Sequence, residues 1–326
     1  MTILLGLETS CDETAAAIVA DGRTLLSSVL ISQTEIHAKF GGVVPEVAAR
    51  SHVQAINLLI DEALSKANLR PDQLDGICCT RGPGLIGTLL VGLSAAKALS
   101  WSWDLPLTTV DHLFSHVCAN FIGTDLQPPF VALLVSGGHT QILHFKDFND
   151  VSIVGETLDD AAGEAYDKVA RLLGLGYPGG PVIDSKAMEG NPLAFKFPEG
   201  VVKNYDFSFS GLKTAVLRQV EKLEPPLPVE DLCASFQEAV SRVLVKKTLK
   251  AAEELNLKTI VLAGGVAANS ELRRKFEAAK DFKVYFPSRH LCTDNAAMVA
   301  AAAFFQGEPA DLSVGAYSRQ PARSLV

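Results

Sequence analysis

The sequence predicts an α/β protein built from two related halves. Its 326 residues exceed the size at which one hydrophobic core usually stops growing. Its composition, 48% apolar and 20% charged, is that of an ordinary soluble globular chain. A strand, polar turn, strand plan also occurs twice, as Ile3 to Leu7, Glu8 to Thr14 and Ala15 to Ala20, then as Phe130 to Val135, Ser136 to Thr140 and Gln141 to Phe145. Two such units opening two halves argue for a duplicated, two-lobed fold with a cleft between the lobes. The expected division is residues 1–110 for the first lobe and 111–294 for the second. A final helix over 295–326 is expected to pack back on the first.

The remaining elements follow from periodicity. Glu46 to Ala67 carries Val53, Ile56, Leu59, Ile60, Ala63 and Leu64 at helical spacing, the mark of an amphipathic helix. Leu74 to Cys79 reads as a strand, Thr88 to Ser100 as a helix of small and apolar residues, and Leu105 to Val110 as a strand. Further on, Asp159 to Leu173, Val229 to Leu255 and Ser270 to Ala279 read as helices, and Thr259 to Leu262 and Val284 to Phe286 as strands. Glu189 to Asp206, rich in Pro, Gly and polar residues, is expected to be a loop over the cleft. Pro225, Pro226 and Pro228 mark another break.

The N-terminus lacks the basic segment and long apolar run of a secretory signal. The apolar stretch Ala296 to Phe305 falls well short of the ~20 residues that cross a bilayer. The six cysteines (Cys11, Cys78, Cys79, Cys118, Cys233 and Cys292) show no Cys-x-x-Cys spacing, so reduced thiols and a cytoplasmic location are expected. With a formal net charge of −8, nucleic acid would have to be met by a local basic patch or a partner. The available clusters are Arg242, Lys246, Lys247 and Lys250, and Arg273, Arg274 and Lys275, each of which also reads as an ordinary solvated helix face.

Gly82-Pro83-Gly84-Leu85-Ile86-Gly87 spells G-x-G-x-x-G after a strand and before a helix, with Asp111 ending the next strand, as a dinucleotide-binding unit would. Against that reading, the unit does not start the chain and Asp111 abuts a histidine pair. A tight strand-to-helix turn packed in a lobe interface fits better. Ser136-Gly137-Gly138, Gly264-Gly265 and Gly179-Gly180-Pro181 with Asp184 are three more glycine turns. Amides freed from Cβ obstruction can surround a phosphate. Each alone reads as a turn; together they favour a nucleotide site.

His112 and His116 stand four residues apart, which on a helix puts both imidazoles on one face with Cβ atoms roughly 5–6 Å apart. A distant carboxylate, Asp294, can complete a three-ligand site with open positions. The alternatives are two histidines bonded to backbone and an aspartate that caps the helix after it. A zincin-type peptidase needs Glu directly after the first His, where this chain has Leu113.

Glu8 to Thr14, Gly41 to Glu46, Gly82 to Leu85, His112 with His116, Val135 to Thr140, Gly176 to Pro181, Phe207 to Thr214, Gly264 to Asn269 and Cys292 to Asn295 form one ordered set of segments. Taken together, they resemble the Kae/TsaD family of tRNA-modifying transferases, once labelled O-sialoglycoprotein endopeptidases. The resemblance runs in order along nearly the whole chain. It implies an actin/Hsp70/sugar-kinase (ASKHA) fold with a central nucleotide cleft. It also implies transfer of a threonylcarbamoyl group from L-threonylcarbamoyl-AMP to N6 of adenosine 37, just 3′ of the anticodon, in tRNAs that read codons beginning with A. His112, His116 and Asp294 would hold one Fe²⁺ or Zn²⁺ ion. Leu134, Val135, Ser136, Gly137, Gly138, Asp167, Gly180, Asp184 and Asn269 would bind the adenylate. Asp12, Glu13 and His139 are the candidates for proton removal. The implied partners are tRNA and TsaB-like and TsaE-like proteins, with a TsaB-type heterodimer or a homodimer formed through the N-terminal lobe. Relatives place Glu between the metal histidines where this chain has Phe114. An ASKHA-type ATPase or kinase and a non-catalytic nucleotide-binding scaffold are the rival functions.

Overall fold

A computed structural model of the chain describes residues 1–200 and 202–319. Its elements, in order, are β1 (Ile3–Glu8), β2 (Glu13–Ala20), β3 (Thr24–Ser32), α1 (Thr34–Ala38), α2 (Pro45–Ala67), β4 (Gly76–Gly82), α3 (Ile86–Trp103), β5 (Leu107–Asp111) and α4 (His112–Cys118). There follow β6 (Phe130–Val135), β7 (Thr140–Asp147), β8 (Asp150–Glu156), α5 (Ala162–Leu172), α6 (Gly179–Ala187), α7 (Ser210–Val220), α8 (Val229–Glu254), β9 (Thr259–Ala263), α9 (Ser270–Glu277) and β10 (Lys283–Tyr285). The series closes with α10 (Ala296–Gln306) and β11 (Glu308–Ala310).

The chain forms two compact units, Met1–Gln127 together with the chain from Pro287 onward, and Pro128–Phe286. The first holds a sheet ordered β11-β5-β4-β1-β2-β3 and the second a sheet ordered β10-β9-β6-β7-β8. In the first, β1, β2 and β3 form an antiparallel meander, and β4 and β5 add parallel strands beside β1. In the second, β6, β7 and β8 repeat the meander, and β9 and β10 repeat the parallel pair beside β6. The duplication read from two strand-turn-strand segments therefore extends to five strands in each sheet.

Three expectations change. The line between lobes at residue 110 would put α4 and its histidines in the second unit, whereas they lie in the first, along with Asp294. The final helix stops at Gln306 and the chain continues as β11, antiparallel to β5; the part of the expected helix over 320–326 lies outside the described residues. Gly179-Gly180-Pro181 is the first turn of α6 rather than a free turn, a place where proline is tolerated because the first N–H groups of a helix have no partner within it.

In the first unit, β1 is buried along its whole length and α10 lies across it. An added Cβ at Gly6 would stand 2.4 Å from the carbonyl oxygen of Ala296 and 3.0 Å from the amide of Ala300. Glycine in the strand and alanine in the helix thus let the two backbones approach, which fixes where α10 begins. That start carries Asp294.

Candidate active site

The first site residues lie within the first unit, at the ends of β1, β5 and α10. Asp111 ends β5, and its Oδ1 accepts from the amides of Leu113 (2.8 Å) and Phe114 (3.0 Å), capping α4. His112 and His116 follow on one face, ring centroids 4.8 Å apart and planes at 74°. The helix-capping alternative for Asp294 fails, because Asn295 caps α10 through Oδ1 and the amide of Met298 (2.9 Å). That leaves Asp294 to face the histidines, with Oδ1 3.1 Å from His116 Nε2 and 3.6 Å from His112 Nε2. Two ligands of one ion at ~2.1 Å stand roughly 3.0–3.5 Å apart. One ligand atom from each of the three residues lies within 4.8 Å of the others. The donor set and its spacing fit a single cation.

Sequence reasoning missed the groups behind His112. Its Nδ1 lies 3.4 Å from Oε2 of Glu8 and 3.2 Å from Oγ of Ser10, and Ser10 Oγ also reaches Asp294 Oδ2 at 3.5 Å. Glu8 is fully buried, and its oxygens also accept from the amide of Ser10 (2.6 Å) and the hydroxyl of Thr80 (2.6 Å). A carboxylate on Nδ1 sets the tautomer that leaves Nε2 as the ligand. His116 Nδ1, by contrast, is buried with no hydrogen-bond partner among the described residues.

Charge at the site follows from this crowding. Burial opposes a charge on His112, but Asp294 and Glu8 outweigh it and lift its pKa from 6.5 to about 9. Burial alone would raise Asp294 and Glu8, yet His112 holds both below the usual carboxylate range. A pocket that draws a proton so strongly draws a cation by the same field. Glu13 is pushed up to about 9 by burial, with Asp294 and Asp12 adding to the effect. Cys11, beside it, is raised well above the ordinary thiol range, chiefly by burial, and is a poor nucleophile.

The other predicted residues sit in the second unit, apart from Asp12 in the β1–β2 turn and Glu13 at the start of β2 in the first. Leu134 and Val135 are buried at the end of β6. Ser136 follows, its amide bonded to the carbonyl of His139 (2.8 Å) and its Oγ accepting from the amide of His139 (3.1 Å). Gly137 and Gly138 are exposed, and a Cβ at either would meet nothing within 4 Å. Asp167 on α5 accepts from the amide of Gly179 (2.7 Å), next to Gly180 at the start of α6. Asp184 binds Asn269 Nδ2 (3.1 Å), the Ser270 amide (3.1 Å) and the Ser270 hydroxyl (2.6 Å). Asn269 also donates to Gln237 (2.7 Å) and caps α9 at Leu272 (3.0 Å). Gln237 and Ser270, which periodicity could not single out, thus tie α6, α8 and α9 together around Asp184.

The G-x-G-x-x-G segment is not a dinucleotide loop. A Cβ at Gly82 would meet the carbonyl of Tyr317 at 2.2 Å, and one at Gly84 the carbonyl of Ser10 at 2.7 Å. Protein fills the space a pyrophosphate would need, all of it within the first unit.

Comparison with known proteins decides the family. The pattern described as "TsaD: tRNA N6-adenosine threonylcarbamoyltransferase" matches residues 24–301. The chain belongs to the tRNA N6-adenosine threonylcarbamoyltransferase family. Similar threonylcarbamoyltransferases include that of Gloeothece citriformis, 52% identical with 100% of this chain and 99% of that one covered. Another, from Thermosipho africanus, is 54% identical over 93% of each chain. Among solved structures, T. kodakarensis HypF aligns at 16% identity and TM-score 0.63, over 93% of this chain and 47% of that one. Component A of the Acidaminococcus fermentans (R)-2-hydroxyglutaryl-CoA dehydratase aligns at 15% identity and TM-score 0.55, over 93% and 98%. These likenesses and the doubled sheet topology establish the α/β fold of the actin/Hsp70/sugar-kinase class. The chain is a tRNA-modifying transferase by family, and no helix among the described residues is long and apolar enough to cross a membrane.

Phe114 lies between the two candidate metal histidines on α4. Residues two apart on a helix do not share a face, so Phe114 points away from His112 and His116, and it is buried. The carboxylate that supports His112 comes from Glu8 instead.

Proposed function

We propose that this chain transfers the threonylcarbamoyl group from L-threonylcarbamoyl-AMP to N6 of adenosine 37 in tRNAs reading codons that begin with A. N6 attacks the carbamoyl carbon, the bond from that carbon to the phosphate oxygen breaks, AMP leaves, and a proton departs from N6. The observation that carries the reading is the convergence of His112, His116 and Asp294 with Glu8 behind His112. A divalent ion such as Fe²⁺ or Zn²⁺, held by those three side chains, would supply Lewis-acid stabilisation of charge developing on substrate oxygens.

The chain's own groups take the other roles. The open space around Gly137 and Gly138 supports the reading that their amides, with Ser136, receive the adenylate. One such donor is typically worth ~10²–10³ in rate. Leu134 and Val135 wall that turn. Asp167, Gly180, Asp184 and Asn269 form the nucleoside end. Asp12 and His139 remain the proton acceptors, because Glu13, raised to about 9, carries its proton at neutral pH and suits donation. Partnership with TsaB-like and TsaE-like proteins, or dimerisation through the first unit, is supported by the exposed apolar side chains of Phe40, Val53 and Leu58. The deciding experiment incubates the chain with threonylcarbamoyl-AMP and unmodified tRNA and analyses the nucleosides by mass spectrometry. N6-threonylcarbamoyladenosine should form, and be lost in His112→Ala. ATP and Mg²⁺ turned over without the adenylate, and no modified nucleoside, would make the chain an ATPase instead.

A further inference from the structure

After β11 the chain runs back along the first unit and is fastened at three points. Lys97 Nζ donates to the carbonyl of Val314 (2.5 Å), the amide of Tyr317 donates to the carbonyl of Arg81 (3.0 Å), and the Tyr317 hydroxyl donates to Asp111 Oδ2 (2.7 Å). The Arg81 guanidinium lies 5.4 Å from the centre of the Tyr317 ring. Gly82, at φ +150, leaves the space that the Tyr317 main chain occupies. Asp111 is thereby used on both sides. Oδ1 caps α4, Oδ2 receives Tyr317, and the Asp111 carbonyl accepts from the Ser115 hydroxyl (2.7 Å). His112 is the next residue.

We propose that Tyr317 is a positioning residue for the two histidines. Its hydroxyl fixes the orientation of the Asp111 carboxylate, and through that cap the first turn of α4, on which His112 stands with His116 one turn later. The need is physical: α4 has seven residues, and so short a helix does not hold its shape alone. A carboxylate free to rotate caps intermittently, while one bonded at its second oxygen caps continuously. The inference rests on reading His112, His116 and Asp294 as a metal site.

The test titrates metal-stripped full-length protein with Co²⁺, following the visible d–d bands. Tyr317→Phe keeps the ring over Arg81 and deletes the hydroxyl. It should weaken Co²⁺ binding about fivefold or more, as loss of a helix cap does, and alter the band shape. Lys97→Met cuts another fastening of the same segment, the bond to the Val314 carbonyl, and should bind within about twofold of wild type. Asp111→Ser keeps one capping oxygen and removes the one Tyr317 reaches. It should lose as much as Tyr317→Phe, and the double variant no more than either. Tyr317→Phe with unchanged affinity and bands, or Lys97→Met as impaired as Tyr317→Phe, would overturn the proposal. A wild-type chain that takes up no Co²⁺ would overturn the metal reading itself, and this inference with it. Should Tyr317→Phe not fold, Asp111→Ser alone decides, by the same loss or its absence.

Discussion

At the scale of single residues, Glu8 is the most informative group in the first unit. The spacing of His112 and His116 is written in the sequence, and so is a carboxylate at Asp294 in want of a role. That Glu8, more than a hundred positions before His112, would stand behind it could not be read, because the contact exists only once β1 and β5 lie in one sheet. Glu8→Gln should keep the hydrogen bond but remove the charge, and weaken metal binding by about 10–100-fold, as competition with a chelator of known affinity would show. The His112 pKa of about 9 sets a pH dependence with a definite sign. Below that value the ion must displace a proton, so metal affinity should rise roughly tenfold per pH unit up to about 9. Calorimetry in buffers of different ionisation enthalpy would count the proton released. In metal-stripped protein the raised pKa stabilises the fold fully below the ordinary value of 6.5. That contribution should fade as pH climbs from 6.5 toward about 9, lowering Tm over the same interval.

At the scale of elements, long amphipathic segments such as α2 and α8 were legible within a residue or two, because burying one face dictates their periodicity. β8, α6 and α7 were not. β8 lies at the sheet edge with little buried surface, α6 opens with two glycines and a proline, and α7 buries only Leu212 and Val216. Packing against neighbours, not local pattern, decides all three. Where β1 and α10 meet, at Gly6 and Ala296, a single methyl is expected to matter. Gly6→Ala should cost about 1–3 kcal/mol, read as a lower urea midpoint. It should also weaken metal binding, since the displaced start of α10 carries Asp294.

At the scale of the whole molecule, the charge balance governs the encounter with tRNA. The two basic clusters expected to meet it are largely occupied. Arg242 and Lys246 pair with Glu199, Lys250 with Glu254, Arg274 with Glu271 and Lys275 with Glu238. Lys247 donates to the carbonyl of Asp206 and Arg273 to that of Ala267. With these cations shared and a net charge of −8, the chain alone should bind tRNA weakly, with affinity falling steeply between 50 and 200 mM salt. Fluorescence anisotropy would show this, and tight binding indifferent to salt would contradict it. The in-helix pairs Lys250–Glu254 and Arg274–Glu271 follow from spacing alone, but Glu199, which meets Arg242 and Lys246, and Glu238, which meets Lys275, come from other segments, so that part of the neutralisation could not be read from the sequence.

The second unit is one uninterrupted stretch of chain, while the first is assembled from two stretches that flank it. On a ribosome, Pro128–Phe286 can therefore fold while the first unit still lacks α10 and β11. Asp294 emerges only after that, so His112 and His116 wait for the carboxylate that would complete the proposed three-ligand site. Capture of an ion by the proposed site would thereby wait until the residues leading into α10 have been made.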